Sequence, residues 1–92
     1  MRFLSCFFLL VTSLACAQQP EASTTLFLVR HAEKADQTDA SLLTDRGKAR
    51  AEKLADMLRD ANVQAVYSTA YVRTRETARP LAERRSLTVQ TY

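Results

Sequence analysis

Apolar runs and helical stripes alternate along the chain between residues 26 and 91. Residues 26–29 (Leu-Phe-Leu-Val) are continuously apolar, which is typical of a strand covered on both faces. Residues 63–67 and 87–91 have the composition of two further strands. The order of these patterns predicts a β-α-β-α-β arrangement, in which a helix between neighbouring strands makes a right-handed crossover.

The first predicted helix begins after Thr44, whose hydroxyl can accept a hydrogen bond from an early backbone amide, and Asn62 is its predicted left-handed stop. Gly47, the only glycine in the sequence, falls in the first turn, where it predicts a close approach of neighbouring backbone. The apolar stripe of this helix is expected to lie in the core and consists of Ala51, Leu54, Ala55 and Leu58.

The second helix is predicted over residues 71–79. Ser68 or Thr69 is its expected N-cap, and Pro80 is expected either to kink the helix or to start a further turn. Residues 35–41 are polar and short-sided, which is the composition of a loop. We expect this loop to overhang the end of the first strand.

The N-terminal segment, residues 1–17, is predicted to be a signal peptide. Arg2 precedes an apolar stretch shorter than the roughly 20 residues that span a bilayer, and residues 15–17 (Ala-Cys-Ala) have the small-x-small form of a cleavage site. The alternative is a lipoprotein signal that would leave a lipidated Cys16, and only then do we expect membrane attachment. Export to the periplasm or cell exterior follows from either signal, with residues 18–23 as a flexible leader and residues 24–92 as the domain.

Composition narrows the partners only slightly. The formal net charge of +3 is too mild to indicate nucleic acid. Basic residues nevertheless concentrate in the last quarter, which suits either an anionic ligand or a solvated helix face; they are Arg73, Arg75, Arg79, Arg84 and Arg85. The sequence offers no cluster with metal-ligand spacing, so we expect neither a metal nor a cofactor. It carries no indication of an oligomeric state.

The only histidine of the sequence, His31, stands where the first predicted strand ends. It follows Arg30 at the edge where open α/β sheets bind ligands, and Arg73 begins the helix after the second strand at the same edge. A guanidinium is suited to bidentate binding of phosphate oxygens. The pattern therefore favours an anion site with a candidate imidazole nucleophile, and a structural histidine is the alternative.

Acidic residues near His31 have two possible roles. Glu33 is a candidate proton donor to a leaving oxygen, or it forms an ion pair with Arg30 or Lys34. Asp36 and Asp39 are expected to be solvated carboxylates of the loop.

Three motifs in order resemble the N-terminal half of the histidine phosphatase superfamily, also called phosphoglycerate mutase-like. They are Leu-Val-Arg-His-Ala-Glu-Lys at residues 28–34, Leu-Thr at 43–44 with Gly47, and Tyr-Ser-Thr at 67–69 ahead of Arg-Thr-Arg-Glu-Thr-Ala at 73–78. The resemblance extends from about Thr25 to Leu81. It is most similar to small members that carry the Arg-His-Ala-Glu-Lys form of the first motif.

The resemblance implies a three-layer α/β/α fold with a mainly parallel sheet and a phosphatase activity without metal. His31 would be the nucleophile that forms a phosphohistidine, and Arg30 and Arg73 would bind the phosphoryl oxygens. The implied substrate is a phosphomonoester or a phosphorylated sugar, with inorganic phosphate as product.

The sequence departs from the family's pattern, which in better-known branches also includes an acidic proton donor downstream of the second arginine helix. The family's pocket is completed by a second histidine on a later strand, and here His31 stands alone. We therefore expect the fold to be truncated after its third strand and the chain to turn over little substrate. The alternatives are a domain completed by another chain and a minimal, non-catalytic phosphate-binding protein. Mutase activity suits an exported protein poorly.

Overall fold

A computed structural model describes residues 22–92 of the chain, so the predicted signal peptide and most of the predicted leader lie outside it. Four elements follow one another: helix α1 (Asp45–Leu58), strand β1 (Val66–Ser68), helix α2 (Val72–Arg84) and strand β2 (Val89–Thr91). These elements define an α/β fold. Neither helix of residues 22–92 combines the length and apolarity needed to cross a membrane.

Helix α1 begins where the capping pattern predicts. Its N-cap is Thr44, whose Oγ1 accepts a hydrogen bond from the Gly47 amide at 3.0 Å, which satisfies a donor that the first helical turn leaves open. Asn62 follows the helix with a φ of 53°, the left-handed conformation predicted for it. In the predicted apolar stripe, Ala51 and Ala55 are buried, and Leu54 and Leu58 are half-buried.

The two strands are parallel neighbours joined by α2. Val66 lies opposite Val89, and Ser68 lies opposite Thr91. Helix α2 packs against both strands and against α1. The buried core joins α1, β1 and α2 and consists of Ala55, Val66, Leu81 and Ala82. Strand β2 lies within the predicted range 87–91, whereas β1 begins later than predicted.

The prediction of a buried strand at residues 26–29 is wrong. These residues form no strand, and the exposed fractions of Leu26, Phe27, Leu28 and Val29 are 77%, 50%, 93% and 54%. A strand needs a neighbour for its backbone donors and acceptors, and within residues 22–92 no main-chain hydrogen bond gives this segment one. The sheet of the described residues therefore has two strands rather than three.

Helix α2 differs from the prediction in its N-cap. Its N-cap is Tyr71, which forms no side-chain cap hydrogen bond, so the predicted capping by Ser68 or Thr69 is wrong. The helix includes Pro80 and continues to Arg84, which is consistent with the prediction that Pro80 kinks the helix or starts a further turn. Proline removes one main-chain donor from the ladder. The next two side chains, those of Leu81 and Ala82, are buried in the core.

The last turn of α2 is tied to α1 by ion pairs. Arg84 donates a hydrogen bond to the carboxylate of Glu52 at 2.6 Å and another to the carboxylate of Asp56. All three side chains are substantially exposed, so solvent screens these pairs and they contribute little to stability. They join the last turn of α2 to the C-terminal half of α1.

Candidate functional site

The candidate site lies where the segment around His31 meets the N-terminal half of α2. That half of α2 follows the carboxyl end of β1, where ligands bind in open α/β sheets. Two contacts join the regions: the Ala32 amide donates to Thr77 Oγ1 at 2.9 Å, and Arg73 donates to the main-chain oxygen of Asp39 at 3.3 Å. The sequence prediction that Arg73 begins the helix after the second strand is confirmed.

The imidazole of His31 is held by its own neighbour. His31 Nδ1 lies 2.7 Å from the carbonyl oxygen of Ala32, and the ring is half-buried. A carbonyl oxygen only accepts, so Nδ1 carries the proton in this hydrogen bond. In the neutral ring, Nε2 then keeps its lone pair, which is the form a nucleophile requires.

Glu33 is fixed by α1 through its backbone. The Glu33 carbonyl accepts a hydrogen bond from the Thr44 amide at 2.9 Å, and a Cβ placed on Gly47 would lie 2.7 Å from the same oxygen. The close approach predicted from the glycine is therefore confirmed. An antiparallel bridge between Lys34 and Leu43 continues this contact into the loop.

The carboxylate of Glu33 points to α1. Its Oε1 lies 2.9 Å from Arg50, so the predicted ion pair exists with a different partner from Arg30 or Lys34. Its Oε2 is buried and has no hydrogen-bond partner among residues 22–92. The sequence gives no signal for this pair, because Glu33 and Arg50 are distant along the chain and no local spacing connects them.

Arg73 is largely covered, with 16% of its side chain exposed. Its guanidinium lies 4.0 Å from the centre of the Tyr71 ring, a cation–π arrangement, and 3.8 Å from the carboxylate of Asp39. Asp39 was expected to be a solvated carboxylate, and its side chain is indeed 83% exposed. It nevertheless faces the arginine predicted to bind phosphate, which the sequence did not indicate.

Arg30 is grouped with α1. It lines an open groove of about 250 Å³ with two further cationic side chains, Arg50 and Lys53. The groove also reaches Ala32 and Thr77, which belong to the His31 contact; its apolar lining consists of Val29, Leu54 and Met57. The two arginines predicted to bind phosphate therefore have different surroundings, Arg30 beside α1 and Arg73 beside the loop.

The loop over residues 35–41 is built by its own polar side chains. Ser41 is buried, accepts a hydrogen bond from the Asp36 amide at 3.0 Å and donates one to the Leu42 carbonyl. The Thr38 hydroxyl and amide donate to the Asp36 carboxylate, and these hydrogen bonds lower the pKa of Asp36 below its ordinary value. The predicted loop is confirmed, and it is internally ordered.

Thr77 is the residue that sequence reasoning did not single out. It is buried and connects the His31 segment to the turn of α2 that carries Arg73. Its position four residues after Arg73 was the available signal, because residues at that spacing share a helix face. Within residues 22–92, histidine, cysteine and acidic side chains form no group of three that could hold a metal ion.

Together these features define an α/β protein in which the segment that carries His31 is joined to the helix that follows the carboxyl end of a parallel strand. A sequence model described as Histidine phosphatase superfamily (branch 1) matches residues 26–92. The match covers well over half of the sequence, and the chain belongs to this family. The comparison with curated proteins returned no match.

Proposed function

We propose that this protein is a phosphatase of the histidine-phosphatase type, which hydrolyses phosphomonoesters through a phosphohistidine on His31. The observation that carries the proposal is the 2.7 Å hydrogen bond between His31 Nδ1 and the Ala32 carbonyl, because it leaves Nε2 as the nucleophilic nitrogen. Membership of the family supports a small phosphorylated substrate, with inorganic phosphate as product.

The proposed reaction has two displacements at phosphorus. His31 Nε2 attacks, the N–P bond forms, and the bond to the leaving oxygen breaks as that oxygen takes up a proton. Water then attacks the phosphohistidine, the N–P electron pair returns to Nε2, and inorganic phosphate leaves. Arg30 and Arg73 are proposed to bind the phosphoryl oxygens and to stabilise the charge that develops on them.

Glu33 is a secondary candidate for the proton donor. A carboxylate engaged by Arg50 at 2.9 Å is an acceptor rather than a donor, which weighs against the role. Water is the simpler donor to the leaving oxygen. The feature that favours the role is the second carboxylate oxygen, which is buried and has no partner among residues 22–92.

A non-catalytic phosphate-binding protein is the second candidate function. It is favoured by the groove beside α1, which is lined by three cationic side chains, Arg30, Arg50 and Lys53. His31 is also the only histidine of residues 1–92, so the second histidine of the family's pocket is not among them. We therefore expect turnover by these residues to be low even where the phosphohistidine forms.

A trapping experiment separates the two functions. The protein is incubated with radiolabelled phosphoramidate or with a labelled phosphomonoester, and the acid lability of any label is measured. Acid-labile label on the wild type that is absent from His31→Ala supports the phosphatase. Saturable phosphate binding without covalent label, in both proteins, overturns it in favour of the binding protein.

Two further properties are proposed with this function. The N-terminal pattern of residues 1–17 supports export to the periplasm or cell exterior, and sequencing the N-terminus of the purified mature protein tests it. A mature N-terminus that still begins at Met1 would contradict export.

Family membership supports a three-layer α/β/α architecture with a mainly parallel sheet.

A further inference from the structure

The residue after the nucleophile, Ala32, is anchored on both sides. On one side, the Ala32 amide donates a hydrogen bond to Thr77 Oγ1 on α2 at 2.9 Å. On the other side, the Glu33 carbonyl accepts a hydrogen bond from the Thr44 amide at the start of α1 at 2.9 Å. Between these anchors lies the Ala32 carbonyl that accepts from His31 Nδ1. The carbonyl group that orients the imidazole ring therefore lies between two hydrogen bonds, one to each helix.

The Thr77 hydroxyl uses both of its hydrogen-bonding capacities. It donates to the Arg73 carbonyl at 2.7 Å, one helical turn earlier, and this commits its only proton. Toward the Ala32 amide the hydroxyl oxygen can then act only as an acceptor. Thr77 is 7% exposed, so no water competes freely for either bond.

We propose that Thr77 is the positioning residue of the candidate nucleophile. Its hydroxyl fixes the main chain beside His31 against the turn of α2 that carries Arg73, and so sets both the imidazole orientation and the distance between His31 and Arg73. The effect on catalysis rests on the proposed phosphatase function. The effect on the imidazole does not, because it concerns the hydrogen-bonded form of the ring alone.

A second threonine on α2, Thr74, forms hydrogen bonds only with residues near the start of its own helix. The Thr74 hydroxyl donates to the Tyr71 carbonyl at 2.9 Å and contacts the Thr69 hydroxyl at 2.7 Å, all within the segment that starts the helix. Thr74 reaches no residue of the His31 segment. It therefore offers a matched control for the loss of a helical threonine hydroxyl.

The test compares Thr77→Val, which keeps the shape and removes the hydroxyl, with Thr77→Ser and Thr74→Val. The nitrogen chemical shifts of His31 report its tautomer without ambiguity, since the sequence has one histidine. We expect Thr77→Val to reduce the population with the proton on Nδ1 and to slow labelling by phosphoramidate about 10- to 100-fold. Thr77→Ser and Thr74→Val are expected to stay within about threefold of the wild type.

Unchanged His31 shifts in Thr77→Val overturn the proposal, and so do equal changes in Thr77→Val and Thr74→Val. If Thr77→Val does not fold, amide hydrogen exchange of the wild type decides, because the Ala32 amide must be protected although it lies outside any strand. Free exchange of that amide overturns the proposal. Absence of phosphoramidate labelling in the wild type counts against the phosphatase alone, since the shifts and the exchange still decide the positioning role.

Discussion

The Arg73 guanidinium donates a hydrogen bond to the main-chain oxygen of Asp39, and the Asp39 carboxylate lies 3.8 Å from the same group. An arginine predicted to bind phosphate thus faces an anion supplied by the protein's own loop. Carboxylate and phosphate compete for the same fork of N–H donors. The loop residue is therefore expected to weaken anion binding at Arg73.

Asp39→Asn is expected to raise the affinity for inorganic phosphate about three- to tenfold at low salt. The substitution removes a negative charge that repels phosphate and lies next to the Arg73 guanidinium. Isothermal titration of wild type and variant measures the change. Asp60→Asn removes the same charge from the end of α1 and is the matched control, expected to leave the affinity unchanged. Equal affinities in Asp39→Asn and wild type would contradict the competition.

Gly47→Ala is expected to destabilise the protein by about 1–3 kcal/mol. In an exposed helix this change gains up to roughly 1 kcal/mol, but here the new Cβ would lie 2.7 Å from the Glu33 carbonyl oxygen, which is backbone and cannot move aside cheaply. Urea denaturation measures the free energy of unfolding. Ala49→Gly in the same helix is the control and is expected to cost only about 1 kcal/mol. A stabilised Gly47→Ala would show that the contact is loose.

Leu28→Lys is expected to change the free energy of unfolding by less than about 0.5 kcal/mol, since 93% of the side chain is exposed. The control is Leu81→Ala, which empties a core position and is expected to cost about 2–5 kcal/mol. Thermal or urea denaturation compares the two. A loss above 2 kcal/mol in Leu28→Lys would mean that residues 26–29 are buried after all.

The lowered pKa of Asp36 gives the loop a pH dependence of known sign. A carboxylate whose pKa falls on folding stabilises the folded loop above its ordinary pKa, and this stabilisation is lost as the pH falls through the lowered value. Carbon-detected NMR titration of Asp36 follows it. Thr38→Val is expected to bring the pKa back toward its ordinary value, while Thr38→Ser, which keeps the donor, preserves the shift. An unaltered pKa in Thr38→Val would exclude the hydroxyl as the main cause.

Local signals in the sequence predicted the parts of the structure that local physics decides. Thr44 caps α1 because its hydroxyl and the Gly47 amide lie within one turn, and Gly47 marks a close approach because only glycine tolerates it. The segment 26–29 was mispredicted because burial depends on a neighbouring strand, which apolar composition cannot supply. The local sequence likewise leaves the end of α2 open, since Pro80 permits either a kink or a further turn.

The sequence proposes the residues of the candidate site but not their contacts. His31, Arg30 and Arg73 stay predictions, made from their positions at the ends of predicted elements. The pairing of Glu33 with Arg50 and of Arg73 with Asp39 joins residues that are far apart in sequence. Such pairs depend on how the helices and the loop pack, which periodicity does not encode.

The exposed segment before His31 has a consequence for how the protein behaves at high concentration. Residues 24–29 form a six-residue window rich in β-branched and apolar side chains, without charge or proline. Windows of this kind pair readily with copies of themselves when they are accessible. Solubility is therefore expected to be limited by residues 24–29 rather than by the core. Leu28→Lys is expected to raise the solubility, because a charge within this window opposes pairing between copies.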